Sequence, residues 1–229
     1  MVNIVAIILA RGGSKGITKK NLVNFCGKPL LIWSIEQVKK VNEISSIWIS
    51  SDDKEILDVA KSHYVQTILR PKEISSDTSS TEEGLNHAIK KIELETNNKI
   101  DFVICLQATS PIREPSDIKK GIKKIISGNF DSLFSATINK DLLMWEVREK
   151  LVPISFDHKK PRRRQELPKQ LLENGSFYMF RPKILEDSDY MLSGKVGFIE
   201  MEFWKTFEID EYEDIEFCET LMKHYLLDK

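Results

Sequence analysis

Apolar positions fall into two rhythms along the first 138 residues. Continuous runs of β-forming residues occupy 4–10, 47–49, 65–69, 102–106 and 132–137. Uninterrupted runs of this kind mark strands buried on both faces of a sheet. Between them, apolar residues recur at helical spacing: Leu30, Leu31, Ile35 and Val38, then Ile56, Leu57, Val59 and Ala60, then Leu85, Ala88, Ile89 and Ile92, then Ile118, Ile122, Ile125 and Ile126. Pro29 opens the first of these segments, Asp52 or Asp53 is placed to cap the second, and Thr81 the third. Strands alternating with amphipathic helices predict an α/β fold with a doubly wound, mainly parallel sheet.

The rhythm changes after about residue 138. From 139 to 169 the alternation fades, and a basic run, His158-Lys159-Lys160-Pro161-Arg162-Arg163-Arg164, appears. Strand-like runs return at 176–180 and 196–203, and a last helix carries Ile215, Cys218, Leu221, Met222 and Tyr225. The pattern predicts an α/β domain built from 1–138 and 195–229, with 139–194 inserted as a small subdomain.

Composition narrows the function classes. A net charge of -1 over 229 residues gives no chain-wide attraction to nucleic acid or membrane, so any cationic function is local. Cys26, Cys105 and Cys218 are odd in number, far apart and outside any C-x-x-C pair. That argues against a disulfide framework or zinc site and for a reducing, cytoplasmic setting. Cys105, inside an apolar run, reads as a small core residue. The first apolar run ends at a glycine turn after about seven residues, too short for a membrane span and without signal-peptide flanks.

The candidate chemistry starts at that turn, Arg11-Gly12-Gly13-Ser14-Lys15-Gly16, followed by Lys19-Lys20-Asn21. Glycines after a buried strand let backbone N–H groups approach a ligand, and ligands of α/β folds bind at the carboxyl ends of strands. With the nearby cations, this points to a polyanion such as a nucleotide phosphate; the alternative is a flexible turn solvated by lysines. Gly16 is followed by Ile17, so the loop is not a P-loop, and its G-G-x-x-G spacing is not the dinucleotide fingerprint.

Further pieces follow in order: Arg70-Pro71 with Ser76-Asp77-Thr78, Gln107-Ala108-Thr109-Ser110-Pro111-Ile112-Arg113, Arg164-Gln165 with Pro168, Glu173-Asn174-Gly175-Ser176-Phe177-Tyr178, and Glu208-Ile209-Asp210. With the glycine turn, this series resembles the acylneuraminate cytidylyltransferases, the CMP-sialic acid synthetase family, over about residues 4–225. The resemblance implies a Rossmann-like fold of the nucleotide-diphospho-sugar transferase type. It also implies the activity: CTP plus a nine-carbon 2-keto sugar acid (sialic acid or a related nonulosonic acid) gives the CMP-sugar and pyrophosphate. Mg²⁺, which Mn²⁺ can replace, and a homodimer in which the inserted subdomain reaches the partner's site are further implications.

Carried onto this chain, the resemblance implies that Arg11, Lys15 and Lys20 clamp the triphosphate, with Lys20 nearest the transferred phosphate. Ala10, Gly12, Gly13, Ser14 and Asn21 would line the nucleotide, and Arg70, Asp77, Thr78 and Thr81 the cytosine or its ribose. Gln107, Ser110, Asn174 and Tyr178 would face the sugar acid, and Arg164 would meet its carboxylate. Tyr178 reads equally as a core aromatic, and Thr109-Ser110-Pro111 as an ordinary turn. Glu208 and Asp210 are the candidate metal ligands; Glu208 departs from the family's usual aspartate, and Asp210 reads alternatively as the cap of the last helix. The rival readings are a synthetase for an eight-carbon acid such as Kdo, and a nucleic-acid-binding module built on 158–164. The second lacks interleaved aromatics and a basic balance.

Overall fold

The computed structural model describes residues 2–139, 143–154, 156–160, 163, 166 and 168–228. The first apolar run forms strand β1 (Ile4–Leu9), followed by a small hairpin of β2 (Asn24–Phe25) and β3 (Lys28–Pro29) and by helix α1 (Leu30–Lys39). Then come β4 (Ser46–Ser51), α2 (Lys54–Ser62), β5 (Gln66–Leu69), α3 (Thr81–Thr96), β6 (Phe102–Leu106), α4 (Pro115–Ser127) and β7 (Ser132–Ile138). Asp53 caps α2, its carboxylate accepting the Glu55 N–H at 2.8 Å. The cap of α3 is Ser80 rather than Thr81. Its hydroxyl accepts the Glu83 N–H while the Glu83 carboxylate accepts its own N–H. This reciprocal box satisfies two otherwise orphaned donors.

The main sheet has seven strands in the order β11-β7-β10-β6-β1-β4-β5. β1 pairs in parallel with β4 on one side and β6 on the other. The chain winds outward through β4 and β5, then returns across β1 to β6. The crevice beyond the ends of β1 and β6 is therefore the topological switch point, where such sheets take ligands. One face packs Ala6, Ile8 and Ile104 against α1, α2 and α4; the other packs Val5, Ile7 and Val103 against α3. The predicted doubly wound, mainly parallel sheet is what the chain forms.

The predicted insertion over 139–194 needs correction. After the outlying hairpin of β8 (Trp145–Val147) and β9 (Leu151–Pro153), the chain re-enters the sheet as β10 (Leu171–Phe180). β10 runs antiparallel between β6 and β7. Phe177, Met179 and Phe180 are fully buried there, so this stretch is a central part of the core. The short helix α5 (Lys183–Ser188) covers the sheet as well, through Ile184 and Leu185. β11 (Val196–Glu200) pairs with β7, and α6 (Tyr212–Met222) closes the chain.

A third apolar cluster underlies the switch point. Ile17 from the glycine loop, Leu30 and Trp33 from α1, Ile209, and Cys218 and Met222 from α6 pack together. Residues nearly two hundred positions apart thereby present their polar neighbours to one cleft.

Candidate active site

At the carboxyl ends of β1, β5 and β6 lies a cleft of about 540 Å³. It is lined by the glycine loop, the 74–81 loop, the end of β6 and Asp210-Glu211. Of the residues singled out in the sequence, Arg11, Ser14, Lys15, Lys20, Asn21, Arg70, Asp77, Thr81, Gln107 and Asp210 reach it. Ala10, Gly12, Gly13, Thr78, Ser110, Asn174, Tyr178 and Glu208 are not among its lining residues.

The glycine loop is held from beneath. Asp52 accepts the Gly12 N–H at 3.0 Å, and the Asn21 side chain donates to the Arg11 carbonyl at 3.0 Å. Gly16 sits so close to the 210–211 segment that a Cβ there would lie 2.2 Å from the Asp210 carbonyl oxygen. The absence of a side chain at this position is what lets Asp210 approach Lys20. Lys20 Nζ, with a mostly covered side chain, donates to Asp210 Oδ1 at 2.8 Å. Lys19, adjacent in sequence, faces the other way and pairs with Glu55.

Arg11 and Lys15 converge on one carboxylate. Asp77 takes Arg11 Nη1 at 2.7 Å on one oxygen and Lys15 Nζ at 3.1 Å on the other. Lys15, and then Arg11, hold its carboxyl below the usual range. Asp77 therefore sits against the cations assigned to the triphosphate, whereas the family position implies the cytidine. Behind it, Arg70 is buried and donates through Nε to the Ser75 hydroxyl at 2.9 Å. Burial lowers its pKa, which the nearby Asp52 partly offsets. Thr78 is exposed and bonded within its own loop to Ser76.

Glu208 and Asp210 flank the fully buried Ile209, whose N–H donates to the Thr109 carbonyl at 2.8 Å. The last helix is capped by Glu211, which forms a reciprocal box with Asp214, so Asp210 is not the cap. Burial, then the charge of Asp210, push the Glu208 carboxyl up to about 7, and Lys20 offsets only part of this. Glu208 lies against the backbone of Gly175, where φ is +61° and a Cβ would stand 2.3 Å from Glu208 Oε1. Gln107 Oε1 approaches the same point to 3.0 Å. Glu208, Gly175 and Gln107 thus share one contact, although only Gln107 opens onto the main cleft.

The remaining sugar-acid candidates separate. Asn174 is fully buried and accepts the Ser176 N–H at 3.3 Å, a turn-forming contact. Tyr178 is buried in the sheet, and its hydroxyl donates to the Glu173 carboxylate. Burial raises its pKa above the ordinary phenol value, and the bond to Glu173 adds to this. Ser110 is buried, and its hydroxyl finds no partner among the described residues. Arg164 lies outside the described residues. Cys105 is a core residue, its thiol pushed up to about 12 by burial. Glu211, which lines the cleft beside Gly16, escaped the sequence patterns. Arg113 ends the Gln107–Arg113 series, where no role attaches to it, and it is not among the residues that line the cleft.

Comparisons with known proteins identify the family and the fold. The family model described as Cytidylyltransferase matches residues 5–228. Pseudaminic acid cytidylyltransferase of Campylobacter jejuni is 31% identical over 223 residues, covering 96% of each chain. N-acylneuraminate cytidylyltransferase A of Danio rerio is 32% identical over 213 residues, which are 91% of this chain and 48% of that one. The chain thus spans about half the length of its vertebrate relatives and nearly all of the bacterial one. Among solved structures, a CMP:2-keto-3-deoxy-manno-octonic acid synthetase complexed with CTP superposes with a TM-score of 0.74 at 18% identity, covering 98% of this chain and all of that one. A 4-diphosphocytidyl-2C-methyl-D-erythritol synthase from Anaerococcus prevotii has a TM-score of 0.69 at 16% identity, covering 97% and 96%. The chain therefore shares its fold with these nucleotidyl-transferring enzymes, and by the match over residues 5–228 it belongs to the cytidylyltransferase family.

Proposed function

We propose that the protein transfers CMP from CTP to a nine-carbon 2-keto sugar acid, a sialic acid or related nonulosonic acid, releasing pyrophosphate. The observation that carries this reading is the convergence of Arg11, Lys15 and Lys20 on one switch-point cleft that Gln107 also lines. In the reaction the anomeric hydroxyl oxygen attacks the α-phosphorus of CTP as the bond to pyrophosphate breaks. Catalysis of such transfers rests on alignment and on neutralising phosphate charge. Arg11 and Lys15 suit the departing phosphates, a planar fork and a mobile point charge respectively. Lys20, held at Asp210, suits the transferred group.

Glu208 and Asp210 fit Mg²⁺. Among the described residues no cluster of three or more His, Cys, Asp or Glu is arranged to hold an ion. Mg²⁺, however, takes one or two carboxylates together with substrate phosphates and water. Asp210 lines the cleft beside Lys20, and Glu208 stands two residues before it, so these are the two carboxylates that would be offered to the ion. Bound there, Mg²⁺ would neutralise phosphate charge and orient the triphosphate.

A homodimer belongs to the same proposal. The β8–β9 hairpin exposes Val147, Leu151 and Ile154, which a second copy is suited to cover. The three cysteines are free, which supports a reducing compartment such as the cytoplasm. No helix among the described residues is long and apolar enough to cross a membrane.

The test is pyrophosphate release from CTP with N-acetylneuraminate, pseudaminate, legionaminate and Kdo, each with Mg²⁺. Release with a nine-carbon acid supports the proposal, release with Kdo alone moves the substrate to the eight-carbon class, and no release with any acid overturns it. Sedimentation of the wild type and of Leu151→Glu tests the dimer: a dimer converted to a monomer is expected, and a monomeric wild type refutes it.

A further inference from the structure

Arg113 is among the largest fully buried side chains of the protein. Its guanidinium has five N–H donors, and all five are used. Nε donates to Gln37 Oε1 at 2.8 Å. Nη1 donates to the carbonyl and, at 3.2 Å, to the hydroxyl of Ser176. Nη2 donates to the Ser34 hydroxyl and, at 2.9 Å, to the Gln107 carbonyl. Every acceptor is neutral. Asp117, the carboxylate that partly offsets its burial, bonds instead to Lys205. A buried cation without a bonded anion is an expensive way to fill space, and an apolar side chain would fill the same volume more cheaply. What the guanidinium supplies is a planar fork joining three separate elements.

Those elements meet at Gln107. The β6–β10 ladder ends at Leu106 opposite Phe177, and the β10 register shifts between Glu173 and Tyr178. Beyond the ladder, the Gln107 N–H donates to the Ser176 carbonyl at 3.3 Å. Arg113 holds that same carbonyl, and it also holds the carbonyl of Gln107 itself. The Gln107 carbonyl is thus held by Arg113 directly, and its N–H through the Ser176 carbonyl that Arg113 also holds, which constrains the direction in which the Gln107 side chain leaves the backbone. Gln37 completes the clasp by donating Nε2 to the carbonyls of Pro111 at 2.8 Å and Arg113 at 3.0 Å. The pinned side chain meets Gly175 and opens onto the cleft.

We propose that Arg113 is a positioning residue for the 2-keto acid: anchored on Ser34 and Gln37, it aims Gln107 and sets the Gly175 turn that together form the sugar-acid wall. This rests on the reading that Gln107 faces the sugar acid.

The test uses the full-length protein, CTP, and whichever of N-acetylneuraminate or pseudaminate the wild type turns over. Gln107→Ala is expected to raise KM for the acid by about tenfold with little change for CTP, a loss of the order of one hydrogen bond to a charged group. Arg113→Lys keeps the charge but cannot span the acceptors, and it should show the same split between the two substrates. In the Gln107→Ala background Arg113→Lys should add less than about twofold, because the two act on one contact. Backbone hydrogen exchange, read without substrate, should speed up for 107–112 and 174–176. Ser34→Ala, which removes one anchor and leaves the charge in place, should show a smaller version of the split if Arg113→Lys does not fold.

Independent, multiplying effects of Arg113→Lys and Gln107→Ala overturn the proposal, as do equal rises in both KM values, unchanged exchange, or a Ser34→Ala protein with wild-type KM for the acid. If Gln107→Ala itself leaves that KM unchanged, the reading of Gln107 falls and the proposal falls with it. A Gln107 effect with no Arg113 effect overturns the positioning role alone.

Discussion

Gly175→Ala separates the architecture of the sugar-acid wall from general stability. Gly175 has φ +61°, a conformation in which a Cβ crowds the following carbonyl. That strain costs about 1–2 kcal/mol. For a chain of this length it lowers Tm by roughly 2–8 °C. The new Cβ would also stand 2.3 Å from Glu208 Oε1. The carboxylate must therefore withdraw by about 1 Å to reach ordinary contact. Glu208 is the free end of a flexible side chain, so its withdrawal adds little to the stability loss. Its effect falls on geometry, where a misplacement of this size is worth about a hundredfold in rate.

Steady-state kinetics with both substrates and a thermal melt give the readouts. The expected Gly175→Ala protein is folded, a few degrees less stable, about a hundredfold lower in kcat, and close to wild type in KM for CTP. Gly27→Ala is the control. Gly27 sits in the β2–β3 turn with φ +85°, and a Cβ there has nothing within 4 Å. It should reproduce the stability loss and leave kcat alone. A Gly175→Ala enzyme with the lowered Tm but wild-type kcat would refute the reading that Glu208, at the contact it shares with Gly175 and Gln107, matters to the reaction.

Three further outcomes are expected. A triphosphate reaching Arg11 and Lys15 competes with the Asp77 carboxylate, so Asp77→Asn should lower KM for CTP and strengthen product inhibition by pyrophosphate. Exposed pairs of this kind imply an effect of about two- to fivefold, and a raised KM would show that Asp77 contacts the nucleotide favourably. Glu208 has a folded pKa of about 7, above the ordinary carboxyl value. In chelator, wild-type stability relative to Glu208→Gln should therefore be greatest at low pH and decline as pH rises through about 7, whereas parallel curves refute the buried carboxyl. Lys205, itself buried, bonds to the fully buried Asp117 at 2.8 Å and to Glu114 at 2.9 Å. Lys205→Met strands Asp117 and should cost about 3–5 kcal/mol, measured by denaturant unfolding, with part recovered in Lys205→Met/Asp117→Asn; a loss below about 1 kcal/mol contradicts the buried network.

The chemistry legible along the chain was local. The cationic glycine turn follows its strand within a dozen residues, and Arg11, Lys15 and Lys20 reach the cleft, as do Arg70 and Gln107, which the family position alone singled out. Residues read by family position fared according to how far their surroundings came from elsewhere. Asn174 and Tyr178 stand on β10, whose Glu173-Asn174-Gly175-Ser176 segment interrupts the apolar pattern. Nothing local says that this stretch belongs between β6 and β7. Pairing partners decided it, and with it the burial of both side chains.

By itself the sequence determined the alternation of strands and helices, hence the doubly wound sheet and the cationic glycine loop after its first strand. The alternation and the sheet follow from the spacing of apolar residues, which depends only on neighbours a few positions away. The tertiary structure alone decided that β10 enters the sheet in reverse, that Asp77 rather than solvent meets Arg11 and Lys15, and that Arg113 clasps Ser34, Gln107 and Ser176. Each is a contact between residues far apart in the chain, and such contacts are selected by packing the whole core and by finding partners for buried polar groups.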